Sequence, residues 1–179
     1  GTITAFTSST AVTVSPNAGT TLAAVADTNI TYGTDNATAI QNWLNACSST
    51  NRICFHDGGN YLFASTISMS TVTAVIVGSG RQSAVFWPVH QGTAFSFSTN
   101  NPVTLRSFAI FANSTAGTVG TLVAITGTGG GQNYGSVIDD VYWTGGNTSV
   151  TCNPCAQFTI SNSNIINAIN NGIVLGISS

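Results

Sequence analysis

The sequence predicts an all-β solenoid of short parallel strands, stacked turn upon turn, with one helix near its start. Three observations carry this reading. The segments Leu105-Arg106-Ser107-Phe108-Ala109-Ile110, Ile138-Asp139-Asp140-Val141-Tyr142-Trp143 and Ile160-Ser161-Asn162-Ser163-Asn164-Ile165 superpose, and a shorter copy stands at Ile76-Val77-Gly78. Each begins with an aliphatic residue, places a small or polar residue two positions on, and carries a large apolar residue at its sixth position. Alternation at period two means strand, because successive side chains leave a strand on opposite faces. The central Gly78, Ser107, Asp140 or Asn162 is a turn-former and marks a bend between two short strands. The copies recur at offsets of about 29, 33 and 22 residues, within the span of solenoid repeats.

The elements follow in order. Thr2 to Val14 alternates Ser and Thr with Ile3, Phe6, Val12 and Val14. It reads as an extended segment with no turn partner of its own, and residues 1–30 are expected to form a separate N-terminal segment that can act as an assembly strand. Pro16-Asn17-Ala18-Gly19 is a turn, and Ile30-Thr31-Tyr32 is a short strand. The one helix begins after Thr34 or Asp35, either of which can cap it. Its Ile40, Trp43, Leu44 and Cys47 recur on one face. Residues 31–179 form the solenoid domain. Its strands are expected at Arg52–His56, Tyr61–Leu62–Phe63 after a turn at Asp57–Asn60, and then at the apolar runs 74–77, 84–87, 94–97, 103–110, 122–125, 137–143, 158–165 and 173–177. The glycine run 127–131 is a loop. A stack of strands exposes its end layer, and an amphipathic helix is a suitable lid for one end. No polar or helical cap follows the run Ile173 to Ser179, so another subunit or more chain is expected to cover that end.

Composition narrows the class. The chain is 42% hydrophobic and only 4% charged, with three Arg, five Asp and no Lys or Glu. That supplies a core and argues against disorder. A formal net charge of −2 leaves no basic footprint for nucleic acid or anionic lipid. No apolar run is long enough to span a membrane as a helix. The four cysteines fall into local pairs, Cys47 with Cys54 and Cys152 with Cys155. An even count in local pairs reads as disulfides formed in an oxidising compartment. The Cys152-Asn153-Pro154-Cys155 spacing also suits zinc or redox chemistry, but no second pair with that spacing exists to complete a zinc site. No metal and no cofactor is implied.

Several segments carry a resemblance. Thr34-Asp35-Asn36-Ala37-Thr38-Ala39-Ile40-Gln41, Gly58-Gly59-Asn60-Tyr61-Leu62, Ile76-Val77-Gly78-Ser79-Gly80 and Ala84-Val85-Phe86 follow one another as helix, first turn and first coil. The segment Phe158 to Leu175 adds Asn162, Asn164, Asn167 and Asn171-Gly172-Ile173. Over about residues 30 to 177 the chain resembles the right-handed, single-stranded parallel β-helix of the pectate lyase and phage tailspike superfamily. The resemblance implies parallel sheets, Asn or Ser ladders at the bends and long loops on one side. Members are often trimeric and act on polysaccharide. It speaks to fold more than to activity, since one fold hosts unrelated functions.

The residues themselves offer little for catalysis. Asp139 and Asp140 are the best acid–base candidates, because glycoside cleavage uses two carboxylates across one bond. Neighbours on a strand point to opposite faces, however. Asp140 also stands at the bend position and is read as a turn-former, and Asp139 as an outward, solvated side chain. Arg106 precedes its bend as Asp139 does, so the two should meet one coil apart as a surface ion pair that contributes little. Tyr142 faces outward and is the saccharide-stacking candidate, whereas Trp143 faces the core. His56 and His90 are read as structural. The expected function is an extracellular, cell-surface or virion module, structural or adhesive and non-catalytic, that assembles with copies of itself as an oligomer or filament. The competing expectations are a fragment of a tailspike or secreted polysaccharide lyase or hydrolase, and a carbohydrate-binding module. Polysaccharide is the one other partner in view.

Overall fold

The computed structural model describes residues 2–8, 11–15, 33–48, 52–70, 73–112 and 119–176. The chain divides into two compact units, Gly1–Ile30 and Thr31–Ser179. In the first, β1 (Thr2–Ser8) pairs antiparallel with β2 (Ala11–Ser15), with Ile3 opposite Val14 and Phe6 opposite Val12. This corrects the expectation of an extended segment without a partner. Only two residues separate the strands, the commonest hairpin spacing, but Ser9-Thr10 has none of the Gly or Asn that normally signals such a turn. The turn expected at 16–19, the strand at 30–32 and residue Ile177 lie outside the described residues.

The second unit is mostly β-structure. It opens with the helix α1 (Ala37–Ser48). The strands that follow are β3 (Cys54–His56), β4 (Gly59–Phe63), β5 (Ile67–Ser70), β6 (Ala74–Gly78), β7 (Ala84–Pro88), β8 (Phe95–Ser98), β9 (Val103–Phe111), β10 (Thr121–Thr126), β11 (Asn133–Tyr134), β12 (Val137–Thr144), β13 (Thr148–Asn153), β14 (Cys155–Ala156), β15 (Thr159–Ser161), β16 (Asn164–Ile166) and β17 (Asn171–Leu175). Every strand pair described in this unit is parallel. One sheet runs β3-β6-β9-β12-β15, with β4, β7 and β16 joined to it. A second runs β5-β8-β10-β13-β17, and β11 pairs with β14. The chain thus visits the sheets in turn and returns to each one strand further on, an arrangement compatible with a β-helix.

The register matches the sequence overlay. Leu105 lies beside Ile76 on one side and Ile138 on the other, and Ile138 lies beside Ile160. The bend residues Ser107, Asp140 and Asn162 have φ of 57°, 57° and 48°. This left-handed conformation has a structural effect. Ile138 and Val141 are three residues apart, and in a plain strand they would face opposite ways. The bend shifts the alternation by one residue, so Ile138, Val141 and Trp143 are all fully buried. Leu105, Phe108 and Ile110 repeat the pattern one strand away. The core is filled by columns of this kind, with Phe63, Phe86, Phe97 and Phe108 among its largest members. Burying one such side chain contributes about 1.5–3 kcal/mol.

The first layer is covered by α1, which lies against β3 and β5 and buries Ala37, Ile40 and Leu44. A disulfide from Cys47 to Cys54 ties the end of the helix to β3. Side chains also occupy backbone groups along this side. The Gln41 amide donates to the Ser68 carbonyl at 2.7 Å and accepts from the Ser68 N–H at 2.8 Å, as a neighbouring strand would. The Asp35 carboxylate accepts from the N–H groups of Ala37 (2.9 Å) and Ala64 (3.1 Å). The Asn36 N–H donates to the Leu62 carbonyl.

Gly78 fills the bend position of its strand without a left-handed φ, and its constraint is space. A Cβ there would collide with the Ser107 carbonyl oxygen and crowd Ala84 and Phe108. Gly78→Ala should therefore cost about 1–3 kcal/mol in urea unfolding. Gly33→Ala, where the nearest atom lies 3.9 Å from the new methyl, should change stability by no more than about 0.5 kcal/mol. Equal effects at the two positions would contradict the close packing at the corner.

Candidate functional site

Arg106, Asp139, Asp140 and Tyr142, singled out for chemistry, lie on the paired strands β9 and β12, and the structure gives each a partner. Arg106 and Asp139 are neighbours in register. The Arg106 Nε lies 3.2 Å from Asp139 Oδ2, so the ion pair expected between adjacent strands is present. Asp139 is not simply solvated. Its Oδ1 accepts from Ser161 Oγ at 2.8 Å and from Asn162 Nδ2 at 2.9 Å. One carboxylate therefore holds three consecutive strands together. Both oxygens are engaged, and this cluster does not offer Asp139 as a base poised for a substrate proton.

Asp140 turns to a different partner. Its Oδ1 lies 2.6 Å from the Nε of Arg81, which sits just beyond β6. Both side chains are about one-third exposed, so the pair contributes about 0–1 kcal/mol. The two carboxylates are thus drawn into separate ion pairs and do not share a site. Arg81 was missed at the sequence level. The signal was available: Gly78 and Asp140 belong to one bend column, and a long cation three residues after Gly78 can reach along it.

Tyr142 lies half-buried on the outer side of β12, beside Ala109 and Asn164 in register. It forms the end of a row of aromatic rings. Trp87 stacks on Phe111 at 4.9 Å and 25°, and Phe111 meets Tyr142 at 5.5 Å. The Trp87 Nε1–H donates to Asn60 Oδ1 at 3.1 Å. Trp143 is fully buried on the opposite face. Further round, Asn133 and Ser136 form a buried polar corner. Asn133 Nδ2 donates to the carbonyls of Thr99 and Asn101, and Ser136 Oγ donates to Asn133 and accepts the Val103 N–H. Cys152 and Cys155 are joined in a disulfide. Two disulfides fit an oxidising compartment.

The remaining feature is the layer formed by β15, β16 and β17. In register, Ile173 lies beside Val150 and Leu175 beside Cys152. Val150 and Cys152 are fully buried, whereas Ile173 is 45% and Leu175 55% exposed. Ile166, Ile169 and Val174 are exposed with them. Among the described residues no strand pairs with the outer edge of this layer. It is the converse of the helix-covered end, and it is the largest group of exposed aliphatic side chains described.

The Ser161 and Asn162 hydrogen bonds, together with Arg106, hold the Asp139 carboxyl below its ordinary value of 3.8; partial desolvation opposes them. A depressed carboxylate stabilises the fold fully above the unfolded value and loses that contribution as pH falls through the folded one. The melting temperature should accordingly drop below about pH 4. Asp139→Asn should melt lower than the parent at pH 7 and show a smaller acid drop. An unchanged acid drop in the variant would contradict this assignment. Comparison with known protein families, with curated proteins and with solved structures finds no match to this chain, and the resemblance to pectate lyases and tailspikes stands on the quoted residues alone.

Proposed function

We propose that residues 31–179 form a right-handed, single-stranded parallel β-helix, and that the chain works as an extracellular structural or attachment module that associates with a copy of itself. The observation that carries this reading is the contrast between its ends. One end has a helix, a disulfide and side-chain amides over its strand edges. Among the described residues, the other leaves Ile173, Val174 and Leu175 exposed beside an edge with which no strand pairs. Open edges and contiguous exposed aliphatics favour association, and a chain with so little charge has little electrostatic repulsion to resist it.

The same contrast selects the geometry. Head-to-tail stacking into a filament would require the open end of one copy to displace α1 and Gln41 from the next. Two open ends facing one another displace nothing. They form a self-complementary two-fold contact that closes after two copies. The proposed assembly is therefore a tail-to-tail dimer, not a filament. Exchange of the N-terminal strand is disfavoured because β1 already pairs with β2.

A second reading is favoured by the row Trp87, Phe111 and Tyr142. Half-buried aromatic edges on an outer sheet face suit stacking on sugar rings, and the function would then be carbohydrate binding. Because Trp87 and Phe111 use their ring faces on each other, Tyr142 is the residue that would carry the contact.

Analytical ultracentrifugation separates these. The parent chain should sediment as a dimer at micromolar concentration, and Ile173→Asp/Leu175→Asp as a monomer with unchanged circular dichroism. A parent that stays monomeric, or a variant that stays dimeric, would sink the self-association reading. For the second reading, a glycan panel should give signals that fall about ten-fold in Tyr142→Ala.

A further inference from the structure

Between α1 and the first strands lies a pocket of about 180 Å³, lined by Trp43, Phe55, His56, Asp57, Tyr61 and Phe86, with Ala39 and Ile40 of the helix completing it. It lies at the opposite end of the stack from β17, and the self-association proposed above does not use it. Besides His56, four of these side chains are aromatic. Three of them, Trp43, Tyr61 and Phe86, pack round the His56 imidazole, with ring centroids 6.0, 4.4 and 5.2 Å away. Tyr61 is fixed in place by its hydroxyl, which donates to the Gly58 carbonyl at 3.1 Å.

His56 is more than nine-tenths buried. Its Nδ1 accepts the Gly58 N–H at 2.9 Å, so in the neutral ring the proton resides on Nε2. That Nε2–H is buried and has no hydrogen-bond partner. An unpaired buried donor costs about 1–3 kcal/mol, and the rings packed round it close this one to solvent. Burial pushes the His56 pKa below its ordinary 6.5, the main-chain contact and Asp57 opposing this, so the ring stays uncharged near neutral pH. The one formally charged side chain lining the pocket is then Asp57, which is exposed.

Electron-rich aromatic walls beside a carboxylate, with no cation among them, favour a positive guest. Methylated ammonium ions are held by aromatic rings in this way. A cavity of about 150 Å³ accommodates benzene, so this pocket suits a guest of about six to eight heavy atoms. We propose that it binds a small quaternary ammonium ion of the size of choline. The ammonium group lies against Trp43, Phe55 and Tyr61 near Asp57.

The experiment is a titration of the full chain with choline, followed by isothermal calorimetry and by tryptophan fluorescence. The neutral isostere 3,3-dimethylbutan-1-ol, equal in shape and hydroxyl, serves as comparison. Choline should bind saturably at millimolar concentration or below, and the isostere about ten-fold more weakly. Asp57→Asn alters an exposed side chain and leaves the core intact; it should weaken choline several-fold and leave the isostere unaffected. Trp43→Leu should weaken choline while retaining the parent's circular dichroism. Equal binding of choline and the isostere would overturn the proposal, as would the absence of any saturable signal with choline at millimolar concentration. Sedimentation of the same samples keeps this result separate from self-association.

Discussion

The fold depends on one conformational constraint, the left-handed residue at the corner of successive strands. A strand that simply bent would carry its alternation through the corner and turn half of its apolar residues to solvent. A single residue at positive φ shifts the phase by one, and both arms of the corner then face the same interior. Leu105 with Phe108 and Ile138 with Val141 are inward pairs that exist only because Ser107 and Asp140 adopt φ of 57°. For a residue other than glycine that conformation is disfavoured. It persists because each corner is bonded to its neighbours. Asp140 is held by Arg81, and Asn162 donates to Asp139. The carboxylates that resembled an acid–base pair in the sequence are here part of the means by which the corners are fixed.

The same economy governs the end covered by α1. A sheet edge needs donors and acceptors at regular spacing, and a helix offers none from its backbone. Gln41 supplies both from one side-chain amide, and Asp35 accepts two N–H groups at once. The helix thus covers the apolar interior with Ile40 and Leu44 and the polar edge with its carboxamide. In that process it also encloses the aromatic pocket around His56. Cover and pocket arise from one packing event: Ile40 and Leu44 are buried beneath the helix, and Trp43 stays half-buried at its margin.

Much of this was legible in the sequence. The core columns could be read because Leu105, Ile138 and Ile160 open segments that share an aliphatic first and a large apolar sixth position, and the bends because Ser, Asp and Asn are local hydrogen-bonders. The helix could be read from Ile40, Trp43 and Leu44. The second sheet was harder. β5 has only Ile67 and Met69 to show its alternation, and β13 only Val150 and Cys152 among Thr, Ser and Asn. β11 and β14 are two residues each and have no period at all. The pairing of β1 with β2 lacked a turn signature. Of the candidate site, the contact of Arg106 with Asp139 followed from register and that of Arg81 with Asp140 could have been read from the shared bend column, but the enclosure of His56 depends on loop paths that local pattern does not encode. The disulfides were legible from proximity in sequence alone.

The fastening of α1 to the first layer has a mechanical consequence. Parallel strands that each rest mainly on their neighbours come apart from whichever margin is held most loosely. The helix margin is pinned by the Cys47–Cys54 bond and by Gln41, whereas among the described residues β17 pairs along one side, with β13. Under tension β17 would therefore part from β13 before α1 parts from β3 and β5, like the loose page of a pad glued along its other margin.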